Sequence, residues 1–187
     1  MRPAGPLRPF VSSYAGFDMA GWPPGRHRGL PDGTLALVVS VGTPPIVRHA
    51  GQAGLQAAAT VAGLRSSPVD IIHDGTQRGV EVALTPHGAR ALLGVPAAAL
   101  AHGVWTLEEV IGRRTHELAD RLANACRPAG QARVLDAVLA GWAVDAGYPA
   151  AVDAFWRRLT GCAGLPAAPA VSRSPASPAR SGSAAAR

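Results

Sequence analysis

One stretch limits the possible folds of this chain more than any other: Val80 to Leu100, reading VEVALTPHGARALLGVPAAAL. Apolar and polar residues first alternate, with Val80, Val82 and Leu84 set against Glu81, Ala83 and Thr85, the period of a half-buried strand. Pro86 ends that strand and suits a first helical position, where its missing N–H costs nothing, and Thr85 is placed to cap the helix. Ala89, Leu92 and Leu93 form a short apolar stripe, and Gly94 before Pro96 marks the stop. The chain therefore changes at this point from sheet to helix.

Before the switch, strand signals dominate. Residues 1–33 are rich in Pro and Gly, with Phe10, Tyr14, Phe17 and Trp22 as anchors, and a strand is expected around Phe10–Phe17. Gly21–Gly33 (GWPPGRHRGLPDG) reads as a pair of turns. Thr34–Val41 is so continuously apolar that burial on both faces is expected. Ile46–His49 is expected to pair with it across the Gly42–Pro45 turn. Leu55–Leu64 leans to strand. Val69–His73 and Gln77–Thr85 read as a hairpin closed by Asp74-Gly75. Five or six antiparallel strands in 85 residues suggest a small barrel or curled sheet.

After Pro86 the pattern is helical: a short piece at Ala97–Ala101, a Thr106/Glu109 capping box before Leu107–Ile111, then Arg114–Cys126 with Leu118 and Leu122. Gln131–Val144 carries Val134, Leu135, Val138, Leu139 and Trp142 on one broad face, which reads as core or, alternatively, as a partner surface. A last helix from Pro149 is expected to turn Val152, Phe155, Trp156 and Leu159 inward. Beyond Gly161 only Leu165 and Val171 are large aliphatics, a composition that cannot offset chain entropy and reads as disordered. The organisation expected is α+β: a β-rich sensor region over 1–85, a helical dimerisation or linker region over 86–160, and a low-complexity tail over 161–187.

Charge qualifies the choice of partners. The net charge is +6, yet residues 1–153 hold thirteen Arg against twelve acids, while the rest holds five Arg and no acid. A DNA-binding face is therefore not visible in the body of the chain, and any binding through tail arginines should be weak and salt-sensitive. Cys126 and Cys162 lie far apart and read as structural thiols of a reducing cytoplasm. The N-terminus lacks the uninterrupted apolar core of a signal peptide, and no run approaches the length of a membrane span. A cytoplasmic protein with no membrane contact is expected.

Motifs for nucleophilic catalysis, phosphate binding or zinc are missing, and the six histidines form no metal pair on one helix face. No metal, cofactor or catalytic residue is expected. His73, Asp74, Gln77 and Arg78 read either as solvated turn residues or as a polar group at a barrel mouth. Trp22, His27 and Arg28 stand in a loop able to fold over that mouth. The ligand-binding set proposed from sequence is Trp22, His27, Arg28 and His73; the interface set is Leu135, Leu139 and Trp142.

Three passages carry a family resemblance: RGLPDG leading into an apolar strand, LTPHGARALLGVP at the strand-to-helix switch, and TLEEVIG before a Leu-spaced helix. Over about residues 10–160 the chain resembles the N-terminal region of AraC-type transcriptional regulators. The resemblance implies a cupin-like β-barrel that senses a small effector, helices that pair subunits into a homodimer, and two helix-turn-helix units that read DNA. Phe155-Trp156-Arg157-Arg158-Leu159 looks like the lead into those units. They have no counterpart after Gly161, where the chain reads as a truncated or out-of-frame regulator, so DNA contact is expected only through a domain absent from this chain. The alternatives are a stand-alone ligand-binding or partner-binding module and a cupin-type metalloenzyme.

Overall fold

The computed structural model describes residues 1–125 and 127–144, together with residues 151, 154, 155 and 158. Cys126, Cys162, the residues 161–187 and most of the helix expected from Pro149 lie outside these. Phe155 is exposed rather than turned inward.

Among the described residues, nine strands form two antiparallel sheets. In chain order they are β1 (Val11–Met19), β2 (Gly25–Gly29), β3 (Leu35–Ser40), β4 (Ile46–His49), β5 (Leu55–Gln56), β6 (Ala59–Ala62), β7 (Val69–His73), β8 (Gln77–Leu84) and β9 (Val104–Thr106). The five-stranded sheet runs β1-β8-β3-β6-β9 and the four-stranded sheet β2-β7-β4-β5. The fold is thus α+β as expected, but the strands remain two sheets and do not close into a barrel.

Both expected hairpins are corrected by this topology. β8 pairs with β1 and β3 rather than with β7, and β7 pairs with β2 and β4. Likewise β4 pairs with β5 and β7, not with β3. The turns at Gly42 and Gly75, both at positive φ, hand the chain from one sheet to the other. Gly25–Gly29, read from sequence as turns, is an edge strand, and β9 interrupts the helices to finish the larger sheet beside β6.

Register explains the core. Tyr14, Val82, Leu37, Val61 and Trp105 stand in one row across the five-stranded sheet. With Leu35, Val39, Val80 and Leu84 they face the helices α1 (Pro86–Leu93), α2 (Leu107–Ile111), α3 (Arg114–Ala123) and α4 (Pro128–Trp142). Burial is therefore alternate on β3, with Ala36, Val38 and Ser40 only half-buried on the other face, rather than complete on both. The helices are punctuated as their sequence predicts. The Gly88 N–H donates to Thr85 Oγ1 at the start of α1, Gly94 ends α1 in the left-handed region, and Thr106 and Glu109 complete a reciprocal capping box on α2.

The apolar face of α4 closes this core. Leu135, Leu139 and Trp142 are 0, 0 and 5 % exposed, and the Arg114 guanidinium lies 5.7 Å from the centre of a Trp142 ring. The three candidate interface residues are consequently packed inside their own chain, because the larger sheet presents an equally apolar face for them to cover. Tyr14 Oη and the Ala4 N–H both donate to Asp136 Oδ1 at 2.9 Å, which ties β1 and the N-terminal segment to α4.

Candidate functional site

The helix side of the large sheet is sealed, whereas the side chains on its other face, towards the space between the two sheets, are mostly half-buried. Alternation on β8 points Glu81 and Ala83 away from the helices, level with Ala15 and Val38 on the neighbouring strands. On β7 the same alternation points Val69, Ile71 and His73 towards that space, with His27 of β2 opposite Ile71 and Gly25 opposite His73. Most of these side chains are half-buried.

At one end of the space the imidazoles of His27 and His73 lie 5.5 Å apart, tilted by 47°. His73 Nδ1 accepts the Gly75 N–H at 3.1 Å, which puts the proton of a neutral ring on Nε2. Burial, and then the neighbouring His73, lower the pKa of His27 below its usual value, so its neutral form prevails at pH 7.

Arg65, in the segment between β6 and β7, occupies the other end. A Cβ added to Gly29 would fall 3.0 Å from Val69, 3.2 Å from Ile71 and 3.7 Å from Arg65 Nη2, so the guanidinium lies on the inward side of the smaller sheet. Its Nη2 donates to the Leu30 carbonyl at 3.3 Å and its Nη1 to the Gly63 carbonyl at 3.5 Å, while the buried Nε–H has no partner. Glu81 shares this environment. Burial pushes its carboxyl above the usual range and the charge of Asp32 adds to the effect, while Arg65 offsets part of it. Asp32 is itself fixed by the Thr34 N–H and hydroxyl, at 2.8 and 2.7 Å.

Of the ligand-binding residues read from sequence, the fold brings His27 and His73 together. Trp22 comes alongside through its main chain, whose N–H donates to the Gly75 carbonyl at 3.3 Å, and its ring is exposed. Arg28 does not join them. One residue on from His27 in an extended strand, it emerges on the opposite face, its Nε 4.0 Å from Asp70 Oδ1. Arg65 and Glu81 were not in that set. The alternation Val80-Glu81-Val82 held the signal for Glu81, since a helix-facing Val80 and Val82 force Glu81 the other way. Nothing local marked Arg65. Among the described residues no group of three or more His, Cys, Asp or Glu could hold a metal ion, and no helix is long and apolar enough to cross a membrane.

A family model described as "Domain of unknown function (DUF6597)" matches residues 1–106, which run from the N-terminus through β9. No curated protein and no solved structure gives a significant match.

Proposed function

The chain belongs to the DUF6597 family, and from that premise we propose that it is the sensing part of an AraC-type transcription regulator, binding a small effector between its two sheets. Domains of this family are often found in such regulators. On this reading the facing sheets are a cupin-like sensor left open along the space that holds Glu81, Arg65, His27 and His73, and DNA reading belongs to helix-turn-helix units. The homodimer implied by the resemblance uses surfaces other than Leu135, Leu139 and Trp142, which the core consumes.

The observation that carries the proposal is the buried Arg65 Nε–H without a partner, in the same space as a carboxyl that burial drives towards its neutral form. An unsatisfied buried donor costs about 1–3 kcal/mol. A ligand acceptor on Nε and a polar group on Glu81 would recover that cost. Glu81 lies between Val80 and Val82, which belong to the helical core, on a strand that packs against α1, so occupancy of the cleft has a route to that helix.

The test is a thermal-shift panel of sugars, amino acids and small organic acids against the wild type, Arg65→Met and Glu81→Gln. At least one compound should raise the wild-type midpoint and lose most of that effect in both variants. A panel without any wild-type shift, or shifts that survive both substitutions, would count against the proposal.

A further inference from the structure

The outer face of the four-stranded sheet, turned away from both the helices and the inter-sheet space, has its own organisation. Register sets Arg26, Ile72, Ile46 and Gln56 side by side across β2, β7, β4 and β5, and sets Arg28, Asp70 and Arg48 in the next row. Ile46 and Ile72, with Pro44 and Pro45 of the preceding turn, line a depression of about 220 Å³ that is bounded at one end by Asp74 and Thr76 of the turn after β7.

Beyond Ile72, in the Asp70 row, three guanidinium groups gather on one carboxylate. Arg26 Nη1 and Arg48 Nη2 lie 3.4 and 3.5 Å from Asp70 Oδ2, and Arg28 Nε lies 4.0 Å from Oδ1. The three arginines are 56, 46 and 66 % exposed in the order Arg26, Arg48, Arg28. One carboxylate leaves two of the three positive charges uncompensated. Across the strands Asp70 stands opposite Arg28 on one side and Arg48 on the other, opposite-charge pairs that favour the sheet, but such pairing does not call for the third arginine, Arg26, on the same carboxylate. Each guanidinium carries five N–H donors in a planar fork, and the long contacts to Asp70 leave most of them available.

From this we infer that the outer face binds a small organic carboxylate with an apolar body, such as a medium-chain aliphatic acid. Arg26 and Arg48 hold its carboxylate by charge-assisted hydrogen bonds, and Ile72, Ile46, Pro44 and Pro45 cover its hydrocarbon. Asp74 fixes the direction. Its carboxylate, which accepts the Thr76 N–H at 2.9 Å, stands at the far end and repels the anionic head, whereas the charge of Asp70 is outweighed by the three arginines gathered on it. A nucleic-acid backbone fits less well, because it calls for cations spread along a track, whereas this cluster is compact and sits beside an apolar lining.

The isoleucines of this chain provide the readout. There are four, Ile46, Ile71, Ile72 and Ile111; the first and third line the depression, Ile71 faces the inter-sheet space and Ile111 belongs to the helical core. The full chain, labelled at the isoleucine δ1 methyls, is titrated with sodium octanoate and followed by two-dimensional NMR. The Ile46 and Ile72 signals should move while those of Ile71 and Ile111 stay. Octanamide should move them far less, and the Arg26→Gln/Arg48→Gln double variant should bind octanoate about tenfold more weakly, its four unliganded signals reporting an intact fold. Absence of any shift up to the solubility limit of the salt overturns the site, as does equal binding of octanamide or unchanged affinity in the double variant. Shifts confined to Ile71 would also overturn it, while leaving the effector cleft proposed above untouched.

Discussion

Glu81 and Tyr14 lie on opposite faces of the larger sheet, and in both burial favours the protonated form. For Glu81, burial raises the folded pKa above the ordinary carboxylate value. The stability it contributes is fully present below that ordinary value, about pH 4, and is lost as pH rises through the folded one. Glu81→Gln should therefore raise stability at about pH 7 and make little difference near pH 4, as read by urea unfolding at both pH values. A gain of the same size at both would disprove the assignment. Tyr14 is pushed up by burial and by its hydrogen bond to Asp136. Its contribution is complete below about pH 10, where an unfolded tyrosine begins to ionise, and falls away at higher pH. Tyr14→Phe is expected to cost about 1 kcal/mol at neutral pH and to flatten the alkaline loss of stability. An equally steep loss in the variant would show that Tyr14 is not its source.

For single elements, the ends of α1 and the start of α2 were legible in the sequence, whereas α4 starts at Pro128 rather than at the expected Gln131 and the partners of the strands were not legible. Thr85 both accepts the Gly88 N–H at 2.9 Å and donates to the Pro9 carbonyl at 2.9 Å, so it caps α1 and fastens the segment before β1. Thr85→Ala should cost about 1–2 kcal/mol in chemical denaturation; a smaller loss than that of an exposed control threonine would show that the cap is idle. Such caps are local chemistry, which is why Thr85, Pro86, Gly94 and the Thr106/Glu109 pair could be read in advance. A turn is local too, but it reports only that the chain changes direction. Asp74-Gly75 looked like a hairpin, yet a Cβ on Gly75 would fall 2.0 Å from the Trp22 carbonyl oxygen. The turn serves to bring the entry to β2 against the end of β7 while β8 leaves for the other sheet. β2 itself was hidden because Gly, Arg and His carry little strand preference, and with it went the opposite facing of His27 and Arg28. Arg65 depends on tertiary approach alone, and its role could not be read from the neighbouring residues.

At the scale of the whole molecule, the family match and the physical core have different limits. The match ends at Thr106, whereas the apolar face of the larger sheet is completed by Leu118, Leu122, Leu135 and Leu139 from α3 and α4. A fragment spanning residues 1–106 should aggregate and lack a cooperative melt, and one spanning 1–144 should remain monodisperse, as read by size exclusion and circular dichroism. A sharp melt from the shorter fragment would mean that the sheets stand alone. Leu139→Ala should cost about 2–5 kcal/mol, the usual range for a cavity at a fully buried leucine. The pairing of β1 with β8, more than fifty residues further along, has a consequence during synthesis. At ordinary translation speeds β1 leaves the ribosome on the order of seconds before its partner exists, with Val11 and Tyr14 bare, and α4 emerges later still. The order of the strands thus gives nascent-chain chaperones a defined interval in which to act, and slowing translation just before β8 should lengthen it and raise the aggregated fraction.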